Sequence, residues 1–213
     1  IILVTSCLPD AELVRLTRQV PIVLTGRSIE AERSYSMDAD STPGARLATE
    51  YLIGQGHRKI AFIGGPSDHP DSQQRMNGYK AALANARIPF SAKLVVPGDY
   101  SDAGGHAAMN KLLDAKADFS AVFAANDQSA YGAMLALHRR GMRVPQDVSV
   151  IGFDDLPTSS YIIPPLTTVH RSINELGEAA AEAMIDLLEG RVPASKLSSA
   201  TLAIRESTRP VRA

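Results

Sequence analysis

Short apolar runs alternate with longer amphipathic stretches along this chain. The runs are Ile1 to Val4, Ile22 to Leu24, Lys59 to Ile63, Leu94 to Val96, Ala121 to Ala124 and Val148 to Phe153. They are nearly continuous in apolar residues rather than alternating, which predicts parallel strands covered on both faces, Ile1 to Val4 included. Helices with plausible ends are predicted between them. Ser41-Thr42-Pro43 offers a cap before residues 45–55, and Gly56 stops that helix. Residues 72–86 place Met76, Tyr79, Leu83 and Ala86 at helical spacing, and Ser101-Asp102 precedes a helix with Met109, Leu112 and Leu113. Residues 127–140 carry Arg139 and Arg140 in the last turn before Gly141, and residues 176–188 put Ala180, Met184 and Leu187 on one stripe. Strand alternating with helix predicts an α/β protein with a parallel sheet.

Composition narrows the class. Of 213 residues, 45% are apolar and 21% charged, with 22 basic against 23 acidic residues and a net charge of −1. That balance argues against disorder, and the absence of a basic block argues against a nucleic-acid surface within this stretch. No apolar run approaches the roughly 20 residues that span a bilayer. Cys7 is the only cysteine, so no internal disulfide can form; it has no base beside it and reads as a small buried thiol. A chain that opens on Ile1-Ile2-Leu3-Val4 is expected to continue upstream.

Ligands of open α/β sheets bind beyond the carboxyl ends of the strands, so the residues following each strand carry the candidate chemistry. These are Gly64-Gly65-Pro66-Ser67, Gly98-Asp99-Tyr100, Asn126-Asp127-Gln128 and Asp154-Asp155. A carboxylate, an amide and an aromatic face suit a neutral polyhydroxylated ligand: the carboxylate accepts from adjacent hydroxyls, and the ring covers the C–H side of a sugar. Each residue also has a plainer reading. Asp127 and Asp155 read as helix caps or turn formers, and composition alone leaves Asn126, Asp154 and Tyr100 open between cap and ligand group. Gly64-Gly65 hints at a dinucleotide loop but lacks the third glycine of that fingerprint. His57 and His69 show no metal spacing and read as structural or solvated. Asp154 and Asp155, adjacent at a strand end, are expected to point in different directions rather than act as an acid–base pair.

Taken in order, several segments resemble the effector-binding core of LacI/GalR-type transcriptional repressors. They are residues 47–52 through 56–66, Arg75-Met76-Asn77-Gly78-Tyr79, residues 121–132 (AVFAANDQSAYG), residues 144–155 (VPQDVSVIGFDD), residues 164–169 (PPLTTV) and Arg205-Glu206-Ser207-Thr208. The resemblance spans nearly the whole chain. It implies a periplasmic-binding-protein-like α/β fold: two doubly wound parallel-sheet subdomains joined by crossovers, with an effector in the cleft between them. The first subdomain would comprise residues 1–55 and 170–196, the second 56–169 and 197–213. By motif, the family's effector contacts fall on Arg75, Tyr100, Asn126, Asp154 and Arg171, with Gln128 and Ser67 as weaker carry-overs. Arg75 gains a role here, since as a first-turn helix residue it would oppose the helix dipole.

The function implied is a cytoplasmic, non-enzymatic repressor body that binds a sugar, or a sugar acid or phosphate given Arg75 and Arg171. It would use no metal and no cofactor, form homodimers that may pair into tetramers, and reach operator DNA through an N-terminal helix-turn-helix domain outside this chain. An extracytoplasmic sugar-binding protein of a transporter shares the fold, and a sugar-modifying enzyme using Asp154 or Asp155 is a third reading.

Overall fold

The computed structural model describes residues 1–4, 8–37, 40–194 and 197–211; Cys7 lies outside them. Two compact units result, residues 1–40 with 172–199 and residues 41–171 with 200–213.

The larger unit is built on a six-stranded sheet of order β5-β4-β6-β7-β8-β9. Its strands are β4 (Ile60–Ile63), β5 (Val95–Val96), β6 (Ala121–Ala124), β7 (Ser149–Asp154), β8 (Thr167–His170) and β9 (Thr201–Ala203). All pairings are parallel except β8 with β9. Side chains alternate across a strand, so each apolar run feeds two cores. Ala61, Ile63, Val122, Ala124 and Val150 face helices α4 (Asp102–Asp114) and α5 (Asp127–Arg139). Ile60, Phe62, Phe123, Ile151 and Phe153 face α2 (Thr42–Gly54) and α3 (Pro70–Asn85). This double coverage is the physical reason the runs read as unbroken hydrophobic segments.

The smaller unit pairs β1 (Ile2–Val4), β2 (Ile22–Thr25) and β3 (Ser34–Met37) in parallel, in that order. Leu13 of α1 (Asp10–Thr17) packs on Ile22 and Leu24, while Ala179, Ala180 and Ala183 of α6 (Ile173–Leu188) pack on Val23 and Met37. Because β1 pairs on one side only, Ile2 and Val4 are exposed rather than buried. Four elements escaped the hydrophobic pattern. β3 reads Ser-Tyr-Ser-Met, α1 is two turns long, β8 opens on Thr-Thr, and β9 is an exposed antiparallel edge of three residues.

The unit boundaries also differ from expectation. Helix α2 was expected in the first subdomain, ending at residue 55, but its Ala45, Ala48 and Leu52 share a core with Phe62, Tyr79 and Phe123 of the larger unit. Gly44 packs directly on Phe153 and Val169. The passage between units therefore lies at residues 40–41, with the later ones at 171–172 and 199–200.

His57, just after α2, ties the segment that follows the last strand to the residue entering β6. It is buried, accepts from the Ser120 hydroxyl at Nδ1 (2.8 Å), and donates from Nε2 to the Arg209 carbonyl (3.1 Å). Burial, with the Arg209 charge, pushes its pKa below the ordinary 6.5 despite the backbone hydrogen bond. The unfolded chain then takes up the proton more readily than the native one, so stability present above pH 6.5 is lost as pH falls below it. Thermal melts of wild type and His57→Gln between pH 7.5 and 5 should show that the variant loses this part of the acid sensitivity.

Candidate functional site

Strands β5, β4, β6 and β7 are neighbours in that order and run in the same direction, so the segments leaving their carboxyl ends form one rim. Arg75 reaches that rim from α3. The helix begins at Pro70, two residues earlier than the pattern suggested, so Arg75 stands in its second turn rather than its first. Its side chain is only 5% exposed. The guanidinium carbon lies 4.0 Å from the centroid of the Phe153 ring and 5.5 Å from that of Tyr100, both within cation–π range. Its two terminal nitrogens bond the Ala125 carbonyl and, at 3.3 Å, Oδ1 of Asp154, with Asp71 at 3.5 Å. Strand alternation sets this up: Phe153 lies on the face covered by α2 and α3, and Asp154 follows where β7 ends.

Among the described residues, two buried polar atoms of this cluster, Arg75 Nε and the Tyr100 hydroxyl, make no hydrogen bond of good geometry, although Asp71 and Ser72 lie beside the hydroxyl. Buried polar groups are rarely left unpaired, so such a pair at one rim marks a place where a partner is expected. Burial raises the Tyr100 hydroxyl well above the ordinary tyrosine range, and Arg75 opposes that only partly. Tyr100 has φ 67°, a left-handed backbone that turns its ring back over Gly65. A Cβ at Gly65 would lie 2.2 Å from the ring, so this glycine serves the aromatic packing. That is the physical account of Gly64-Gly65, in place of a dinucleotide loop.

Both ends of the Asn126 amide are bonded. Its Oδ1 caps α5 by accepting from the Ser129 amide (3.0 Å), and its Nδ2 donates to the Tyr100 carbonyl (2.9 Å). Asn126, rather than Asp127, is thus the cap, and it joins the Tyr100 loop to the helix. Arg171 donates to the Ser41 hydroxyl (2.9 Å), and its guanidinium carbon lies 5.8 Å from the Phe153 ring. The Ser41 hydroxyl therefore serves Arg171 and not the α2 amides. Ser67 and Gln128 are exposed, and among the described residues no hydrogen bond joins either side chain to Arg75, Tyr100 or Asp154. The structure thus gathers Arg75, Tyr100, Asp154 and Arg171 about Phe153, ties Asn126 to the Tyr100 backbone, and joins neither Ser67 nor Gln128 to the cluster by a hydrogen bond among the described residues.

Asp154 and Asp155 diverge. Asp154 faces Arg75, while Asp155 binds Arg205 (2.6 Å) and His170 (2.8 Å). Burial raises the Asp154 carboxyl, offset in part by Arg75 and Arg171. Asp127 is fully buried; its carboxylate accepts from the Leu156 amide (2.8 Å) and from the hydroxyls of Ser159 (2.6 Å) and Thr168 (2.5 Å). Phe153 and Asp71 were missed as site residues. Phe153 was hidden in a strand, and only its parity, one face away from Gly152, could have placed it beneath α3.

Two expectations follow. Burial pushes Asp127 up to about 6 from the ordinary 3.8, against its three hydrogen bonds. The native state therefore holds this proton over a range where the unfolded chain has lost it. Its stabilising effect is complete below pH 3.8 and fades as pH rises through about 6. The swing is on the order of 3 kcal/mol, and Asp127→Asn should abolish it in melts across that window. Separately, Gly65→Ala should cost about 1–3 kcal/mol by overpacking against Tyr100, read as a lower denaturation midpoint.

Comparison with known proteins identifies the fold and the family. A family model described as a periplasmic binding protein-like domain matches residues 49–208. The probable HTH-type transcriptional repressor ExuR of Bacillus subtilis is 37% identical over 194 residues, covering 90% of this chain and 58% of that protein. This chain thus spans somewhat over half the length of that relative. A sugar-binding transcriptional regulator of the LacI family from Escherichia coli, solved with phosphate, superposes with a TM-score of 0.88 at 35% identity, covering 99% of this chain and 77% of that one. A LacI family regulator from Enterococcus faecium, solved with bound ribose, gives 0.88 at 29% identity, covering 99% and 80%. Among the described residues no helix is long and apolar enough to cross a membrane. A rim of strand ends centred on a buried arginine, a matching family model and this degree of identity lead to one conclusion: the chain belongs to the LacI/GalR family of transcriptional regulators, as its periplasmic-binding-protein-like domain.

Proposed function

We propose that this chain is the effector-sensing and dimer-forming body of a cytoplasmic LacI-type repressor, which binds a sugar at the rim around Arg75 and thereby changes its affinity for operator DNA. The observation that carries this reading is the buried Arg75 guanidinium between Phe153 and Tyr100, with its Nε unpaired and the Tyr100 hydroxyl short of a well-formed hydrogen bond among the described residues. A sugar offers both things such a site lacks: hydroxyls for those two atoms and a C–H face for the ring. In the full-length protein, operator contact belongs to an N-terminal helix-turn-helix domain, and a homodimer, or a tetramer built from it, supplies two such heads. The effector works by favouring one of two states, and the switch is as strong as its difference in affinity for them.

A neutral sugar is favoured over a sugar acid or phosphate. Asp154 and Asp71 already face Arg75, so its positive charge is compensated before any ligand arrives. Binding without turnover is supported by the same contacts, because Asp154 faces a guanidinium and Asp155 is held by Arg205 and His170. The repressor and regulator relatives favour this reading over a transport-associated binding protein.

Calorimetry against D-ribose, D-galactose, cellobiose, D-galacturonate and glucose 6-phosphate tests the proposal. At least one neutral sugar should bind, with the anionic ligands weaker. Asp154→Asn, which tolerates the left-handed backbone at that position, should cost about 2 kcal/mol or more of that affinity, roughly 30-fold, by removing a charged acceptor. Unchanged affinity in that variant would sink the assignment of the rim.

A further inference from the structure

The chain makes a sharp reversal directly after β7. Asp154 has φ 106° and Asp155 φ 54°, two successive residues other than glycine in the left-handed half of the map. Such conformations are strained for residues with a side chain and persist only where the surroundings fix them. One side of the reversal is fixed by Asp155, whose carboxylate holds Arg205 and His170. The other side is fixed by a residue that the proposed binding role does not use. Leu156, the first residue past the reversal, donates its amide to Oδ2 of Asp127, which also accepts from Ser159 three residues further on. The second oxygen of the same carboxylate accepts from Thr168 on β8. Gly152 makes the reach across β7 possible, since a Cβ there would lie 2.3 Å from Asp127 Oδ1.

Resting on the sugar-binding reading of the rim, we infer that Asp127 is a positioning residue: its carboxylate clamps the Asp154–Asp155 reversal through Leu156 and so aims Asp154 at Arg75. Asp127 itself is wholly buried. Its burial works against the ionised form, so a carboxylate at this point is not there for stability. What it supplies is acceptor geometry: two oxygens bound to three donors from the loop after β7 and from β8, on a rigid helix whose preceding residue, Asn126, is tied to the Tyr100 loop. An asparagine can keep one oxygen for Leu156 and Ser159 while the Thr168 hydroxyl turns to accept from the amide nitrogen. Alanine can do neither.

The experiment compares Asp127→Asn and Asp127→Ala with wild type in two measurements. Hydrogen exchange on the ligand-free chain, read on peptides covering residues 154–160, should be roughly tenfold faster in Asp127→Ala and near wild type in Asp127→Asn, with β6 peptides unchanged in both. Calorimetry with D-ribose, D-galactose and cellobiose should show affinity lost in the alanine variant and retained in the asparagine one. Exchange at 154–160 that stays at the wild-type rate in Asp127→Ala, or that rises equally in both variants, would overturn the clamp. If Asp127→Ala does not fold, Thr168→Val removes one donor alone; faster exchange confined to the reversal supports the clamp and an unchanged rate overturns it. A wild type that binds none of the three sugars while exchange responds as described would count against the sugar-binding reading and leave the clamp standing.

Discussion

A guanidinium buried among aromatic rings has to be compensated on every side, and Arg75 shows how that requirement organises the end of a sheet. Phe153 lies under its flat face, Asp154 and Asp71 supply negative charge, and the Ala125 carbonyl accepts a hydrogen bond from it. Phe153 and Asp154 come from the end of β7, Asp71 from the first turn of α3 itself, and Ala125 from the link between β6 and α5. Removing any one would leave a desolvated charge short of a partner, the costly outcome for a buried ion. The arrangement therefore fixes three segments, α3, the end of β7 and the link between β6 and α5, relative to one another with one side chain. It also leaves one donor, Nε, unpaired.

The sheet makes this possible by putting strand parity to use. In β7, Val150 faces one layer of helices, while Ile151 and Phe153 face the other. A shift of one residue would move Phe153 away from α3 and leave Arg75 without its ring. Glycine at 152 lets the Asp127 carboxylate cross to β8, and the two left-handed residues that follow turn Asp154 back towards α3. The stretch 148–155 thus combines core strand, carboxylate passage and binding group within a few residues.

Much of this was legible beforehand. The two-sided apolar strands, the helix stops at Gly56 and Gly141 and the rim of polar residues follow from periodicity and turn chemistry, and the ordered motifs pointed to the family. β3 and β8 were not legible as strands, because Ser-Tyr-Ser-Met and Thr-Thr-Val-His lack an apolar run; both pair because a neighbour presents a parallel edge. The plain and functional readings of Asn126 turn out to be compatible, since one amide end caps α5 and the other holds the Tyr100 loop. For Asp127 the cap reading was displaced by one residue, a distinction that rests on backbone angles rather than on composition.

By itself the amino-acid order determined the layer architecture, the ends of most helices and which residue types reach the strand ends, because those depend on spacing along the chain. Tertiary structure alone decided that Arg75 lies on Phe153, that Tyr100 folds over Gly65, that α2 joins the larger unit and that no hydrogen bond among the described residues joins Ser67 or Gln128 to the cluster. Those outcomes depend on contacts between segments far apart in sequence, where competing partners are weighed by burial and charge compensation, and no local periodicity records that competition.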